Sequence, residues 1–142
     1  NDTQRVAQVK NIGIHHVYDT AEVDLSRLTE ELTEEQGFNI VLTACSSPDA
    51  QEDAINSVSK RGVINFFGGL PQGSRNISFA SNLIHYKEAY ITGSHGSSPR
   101  QFKLALQLVA NGRIKVKDII SHNNLNTMSY VKRFEFYLLP IY

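Results

Sequence analysis

Val63-Ile64-Asn65-Phe66-Phe67-Gly68-Gly69-Leu70-Pro71 is the stretch whose reading decides the fold. A short apolar run stops abruptly at two glycines and a proline. Buried parallel strands end this way at a sheet edge, where small residues let another backbone or a ligand come close. A second run, Ala89 to Thr92, ends similarly in Gly93-Ser94-His95-Gly96. Two such strands predict a crevice at one edge of an open α/β sheet, the usual position of a ligand in that architecture. The competing reading is that the glycines only turn strands into helices.

Working outward, helix patterns alternate with these strands. Asp24 to Gln36 reads as a helix, with Leu25, Leu28 and Leu32 on one face, carboxylates on the other and Gly37 as its stop. Phe38 to Ala44 is rich in β-branched residues and predicts a buried strand. Ser47-Pro48 supplies an N-cap followed by proline at the first helical position. That helix is expected to run to Lys60, with Gly62 as a left-handed stop before the Val63 strand. Ile77 to Phe79 is a candidate small strand, and Ser81 to Tyr86 a short helix. Ser98-Pro99 opens another helix, with Phe102, Ala105, Leu106 and Val109 as its stripe and Gly112 as its end. Thr3 to Ile12 reads as a helix, Ile14 to Tyr18 as a brief strand and Ile114 to Ile120 as a further strand. Alternating strands and helices argue for βαβ units and a parallel sheet. Right-handed crossovers then bring Gly68-Gly69 and Gly93-Ser94 to one edge.

Composition narrows the class. With 142 residues the chain is one domain long, and 14 Lys and Arg balance 14 Asp and Glu. No basic stripe favours nucleic acid, and no apolar run is long enough to span a membrane. The single cysteine, Cys45, excludes an intrachain disulfide framework and fits a reducing, cytoplasmic compartment. It is expected to be a small buried thiol. His15 and His16 are adjacent and on a strand would point to opposite faces, which does not suit a shared metal. The glutamates at 30, 31, 34 and 35 read as a solvated helix face. The chain begins at Asn1 without an initiator methionine and is read as a piece of a longer polypeptide.

A glycine-rich first turn followed by an acid about twenty residues on would mark a dinucleotide site, and neither is recognisable. The later segments nevertheless carry a resemblance. Arg5 with Gly13, Phe38-Asn-Ile-Val-Leu-Thr-Ala-Cys-Ser-Ser-Pro, and Arg61-Gly-Val-Ile-Asn-Phe-Phe-Gly-Gly-Leu-Pro form an ordered series. It continues in Ser81-Asn-Leu-Ile-His-Tyr-Lys-Glu and Ile91-Thr-Gly-Ser-His-Gly-Ser. In order and spacing these resemble the second half of the cofactor domain of the zinc-dependent medium-chain dehydrogenases, in particular the polyol (sorbitol or iditol) and threonine dehydrogenase branch.

The resemblance implies a partial Rossmann-type doubly wound sheet over residues 1–122, lacking the first βαβ unit, and an atypical, helix-compatible tail at 123–142. It implies NAD as cofactor, with NADP as the alternative. Arg5 would lie beside the adenosine end, and backbone groups of Gly68, Gly69, Leu70, His95, Gly96 and Ser97 would hold the nicotinamide riboside. The intact enzyme would exchange a hydride between a secondary alcohol or polyol and the nicotinamide. Its catalytic zinc would sit on ligands outside this chain, leaving the chain inactive alone. The family commonly pairs into homo-oligomers through the edge strand near Ala89 to Gly93. One departure bears on substrate: animal-type polyol dehydrogenases carry an aromatic residue, an arginine and a tyrosine where this chain has His95, Gly96 and Ser97. The alternatives are a zinc-free quinone or enoyl reductase of the same superfamily, or a nucleotide-binding module without catalysis.

Overall fold

The computed structural model describes residues 6–7, 9–10, 14–73 and 76–116. The chain divides into two compact units, one at Tyr18–Pro99 and the other at Asp2–Val17 with Arg100–Tyr142. In the first unit the elements are α1 (Leu25–Thr33), β1 (Phe38–Thr43), α2 (Pro48–Ser57), β2 (Val58–Phe66), α3 (Ser81–Lys87) and β3 (Tyr90–Gly93). In the second, the described residues include α4 (Pro99–Ala110), which begins at the boundary. The strands form a parallel sheet in the order β1-β2-β3. The expected α/β alternation is therefore present.

Local chemistry explains the starts and stops. Asp24 caps α1 by accepting the Arg27 N–H at 3.2 Å, and Ser47 caps α2 by accepting from Ala50 at 3.3 Å. Pro48 occupies the first turn of α2, where the missing N–H has no intrahelical partner to lose. The helix α1 ends at Thr33, earlier than its Leu periodicity suggests. Glu34 and Glu35 both take left-handed φ, 51° and 64°, and the Glu35 N–H folds back to the Glu30 carbonyl at 2.9 Å.

The largest correction concerns α2. It stops at Ser57, and β2 begins at Val58, five residues before the expected strand. Gly62 is not its left-handed stop: it lies within β2, and Arg61 takes the positive φ of 58°. Gly62 is required for space, since a Cβ there would stand 2.6 Å from Val58 Cγ2. The ladder slips between Phe38↔Val58 and Ile40↔Val63, so the intervening residues of β2 bulge.

Ile55, Val58 and Ile64 are fully buried, joined by Ala54 and by partly buried Val41, Phe66, Leu83, Ile84 and Ala89. Val41 and Ile64 are register partners and share a sheet face under α2 and α3. By the period-2 alternation of strands, Ile40 and Leu42 point the other way. They are 69% and 64% exposed, so β1 is not the fully buried strand its apolar run suggests. Two further strand expectations fail, and a third is not met over its described residues. Ile14 to Tyr18 joins no ladder. Ile77 to Phe79 joins none either, because the Ser78 N–H goes to the Glu52 carboxylate at 2.8 Å. Residues 114–116 form a turn in which the Val116 N–H meets the Ile114 carbonyl at 3.1 Å. The rest of that run, and the boundary expected at 122, lie outside the described residues. In the second unit, Gly112 closes α4 with φ 67°.

Candidate functional site

The two glycine loops leave the carboxyl ends of adjacent parallel strands, β2 and β3. The register partners Phe66 and Gly93 set them side by side. The Ser94 N–H extends the pairing by one step, donating to the Phe66 carbonyl at 3.2 Å. Gly68-Gly69-Leu70 and His95-Gly96-Ser97 are thus brought to one edge, as the sequence predicts for six of the seven expected cofactor residues. Arg5 and Gly13 lie outside the described residues.

The six differ in what they can offer. Gly68 is committed to the protein. Its N–H donates to the Thr43 carbonyl at 2.7 Å, and its carbonyl accepts from Gln51 Nε2 at 3.2 Å. A Cβ on Gly68 would stand 2.3 Å from the Cys45 carbonyl oxygen. Its missing side chain therefore serves the junction with the loop after β1, which ties the Gly68 loop to β1 and α2. Gly69 is the reverse case: a Cβ there would meet no atom within 4 Å. Gly96 is likewise open and has φ 67°, a conformation that favours glycine. His95, Gly96 and Ser97 are all exposed. Gly69 and Gly96 thus leave main-chain groups open at the strand ends, while Gly68 is anchored.

Side chains missed by the sequence reading tie the ends of β2 and β3 together. Asn65 Nδ2 donates to Thr92 Oγ1 at 3.0 Å and to Ser94 Oγ at 2.9 Å, while Thr92 Oγ1 donates to the Ile64 carbonyl at 3.2 Å. The available signal was a lone amide inside the run Val63 to Phe67, since a polar residue in a strand needs partners.

Cys45 is exposed, contrary to expectation, because β1 ends at Thr43 and carries it beyond the sheet. With Thr43, Ser47 and Asp49 it lines a cavity of about 750 Å³ beside β1, α1 and α2. None of the six described cofactor candidates borders that cavity. His15 and His16 are exposed and off any strand. Among the described residues, no three His, Cys, Asp or Glu side chains come together as a metal site. Glu30, Glu31, Glu34 and Glu35 are exposed, as a solvated face requires. Among the described residues, no helix is long and apolar enough to cross a membrane.

Comparison with known proteins identifies the family and the fold. The family model for zinc-binding dehydrogenases matches residues 1–111, and the chain belongs to that family. It is 30% identical over 122 residues to the sorbitol dehydrogenase of Halalkalibacterium halodurans, covering 86% of this chain and 35% of that protein. The chain thus spans about a third of the length of the curated relatives it matches. The benzyl alcohol dehydrogenase of Acinetobacter calcoaceticus shares the fold, with a TM-score of 0.77 at 19% identity over 97% of this chain and 38% of that one. A zinc-binding dehydrogenase of Sinorhizobium meliloti, solved with bound NADP, gives 0.73 at 20% identity over 84% of this chain and 35% of that one. The sheet is thus the Rossmann-like sheet of alcohol dehydrogenases.

Proposed function

We propose that this chain provides the nicotinamide-side floor of an NAD(P)-dependent oxidoreductase acting on a secondary alcohol or polyol. The observation that carries the reading is the paired exit of two glycine loops from β2 and β3, locked by Ser94 N–H to Phe66 O at 3.2 Å, with Gly69 open to solvent. Backbone groups of Gly69, Leu70, His95, Gly96 and Ser97 bind and orient the nicotinamide riboside, and Gly68 fixes the first loop in place. By the family resemblance Arg5 is assigned to the adenosine end, where a guanidinium would stack on adenine or pair with phosphate. When bound, the nicotinamide accepts or donates the hydride. NAD is the cofactor favoured and NADP the alternative, the latter supported by the Sinorhizobium meliloti relative. The polyol class rests on similarity to the sorbitol dehydrogenase. Zinc would be held by ligands outside this chain, so the 142-residue chain is expected to bind cofactor without turnover. The family's pairing through the β3 edge makes a homo-oligomer the expected assembly, and the expected compartment is the cytoplasm.

NADH fluorescence tests the reading, and the absence of tryptophan leaves that emission unobscured by indole. The protein should enhance NADH emission saturably. Gly69→Val, at a position where an added Cβ meets no atom within 4 Å, should leave folding intact and raise the NADH Kd by at least about tenfold, or 1.4 kcal/mol. Unchanged affinity in a folded Gly69→Val protein would remove Gly69 from the site, and absent binding by the unmutated protein would remove the reading.

A further inference from the structure

The hydrogen bonds around Asn65 specify which atom of Ser94 is left for a ligand. A hydroxyl has one proton to donate. The Thr92 hydroxyl gives its proton to the Ile64 carbonyl at 3.2 Å, so towards Asn65 it can only accept. The Asn65 atom 3.0 Å away must therefore be the amide nitrogen, which fixes the orientation of the side chain. The second amide hydrogen then reaches Ser94 Oγ at 2.9 Å. Asn65 Oδ1 is left buried without a partner, an arrangement that is unfavourable in isolation and is retained with the two donated bonds. Ser94 Oγ accepts from Asn65 and keeps its own proton. Among the described residues, no protein hydrogen bond takes that proton, and Ser94 is exposed. Its main chain is held by the bond to Phe66 O, just before the loops that follow β2 and β3.

The geometry points to Ser94 as a side-chain hydrogen-bond donor to the ligand in this crevice, with Asn65 as the residue that orients it. The inference rests on the cofactor reading above and deepens it. The group that receives the bond is the carboxamide oxygen of the nicotinamide, an acceptor of the required sense. Ser94 thereby adds a directed side-chain contact to a cradle otherwise built from backbone.

The test compares NADH with its acetylpyridine analogue, which keeps the carbonyl oxygen and replaces the amide NH2 by a methyl group. Ser94→Ala, at an exposed position that does not endanger folding, should weaken both dinucleotides equally, by about fivefold to tenfold, the size of one hydrogen bond. Ser94→Thr should restore binding. Asn65→Leu should produce much of the same loss, and the double variant Asn65→Leu/Ser94→Ala should lose no more than Ser94→Ala alone. A weakening for NADH but not for the analogue would overturn the proposal, because the hydroxyl would then be accepting from the amide. No loss in Ser94→Ala would overturn it directly. Additive losses in the double variant would overturn the role of Asn65. If the unmutated protein binds neither dinucleotide, the cofactor reading fails and takes this inference with it; if it binds both and Ser94→Ala matches it, only the Ser94 role fails.

Discussion

Gly68 and Gly69 are neighbours with opposite requirements. Gly68 would drive a Cβ to 2.3 Å from the Cys45 carbonyl, and the neighbouring atoms are backbone that cannot swing aside. Gly68→Ala should therefore destabilise the fold by about 1–3 kcal/mol, the range for overpacking. Gly69→Ala should change stability by less than about 0.5 kcal/mol, as at ordinary surface positions. Urea midpoints of the two variants check the contrast, and equal midpoints would contradict the geometry. Lys87 makes a different prediction. Its Nζ donates to the carbonyls of Val58 at 2.7 Å and Asn56 at 3.0 Å, at the end of α2, and burial lowers its pKa from the ordinary 10.5. Folded, it releases its proton at lower pH than when unfolded, so the unfolded chain holds more protons between the two values. Stability should rise with pH across that window, below 10.5, as the penalty on the buried ammonium is relieved. Stability curves of Lys87→Met and the unmutated chain should show the unmutated chain gaining as pH approaches this window. A constant difference would count against it.

At the scale of elements, helix ends governed by caps were the most legible part of the sequence. Ser47-Pro48 and Asp24 act through their own side chains and nearest neighbours, so local reading suffices. The end of α1 was less legible, because Glu34 and Glu35 adopt left-handed φ against their intrinsic preference. Glu34→Gly removes the Cβ from such a position and should stabilise the chain by about 1 kcal/mol. Thermal unfolding measures this, and a lowered midpoint would show that the Glu34 side chain contributes more than its backbone strain removes. The start of β2 was not legible at all. Ser59 and Lys60 are helix-compatible and Gly62 reads as a helix stop, whereas the pairing of Val58 with Phe38 places the segment in β2. The polar clamp was visible only in part: Asn65 marks itself within an apolar run, whereas its partners Thr92 and Ser94 lie 27 and 29 residues away.

Over the whole molecule, one sheet face carries the core and the other leaves Ile40, Leu42 and Tyr90 well exposed. Exposed apolar groups clustered on one surface recruit partners or probes. The 142-residue chain should bind anilinonaphthalene sulfonate in its folded state. Ile40→Thr/Leu42→Gln should reduce the dye emission without lowering helix content, read by circular dichroism. Unchanged emission in the double variant would place the dye elsewhere. The same scale accounts for the site. No single segment contains the proposed site: Gly68-Gly69-Leu70 and His95-Gly96-Ser97 leave the same sheet edge because β2 and β3 are parallel neighbours with Phe66 opposite Gly93.

The sequence by itself determined the α/β alternation, the capped helix starts and the two strand ends where small residues gather. Each follows from short-range rules: periodicity, side-chain caps and the steric freedom of glycine. The tertiary structure alone decided where β2 begins, that Cys45 is exposed, and which glycine serves packing and which stays open. It also decided that Asn65 joins the ends of β2 and β3 and leaves the Ser94 proton free. These depend on the identity of the atom opposite, Cys45 O for Gly68 and Thr92 Oγ1 for Asn65, and that atom comes from a distant part of the chain.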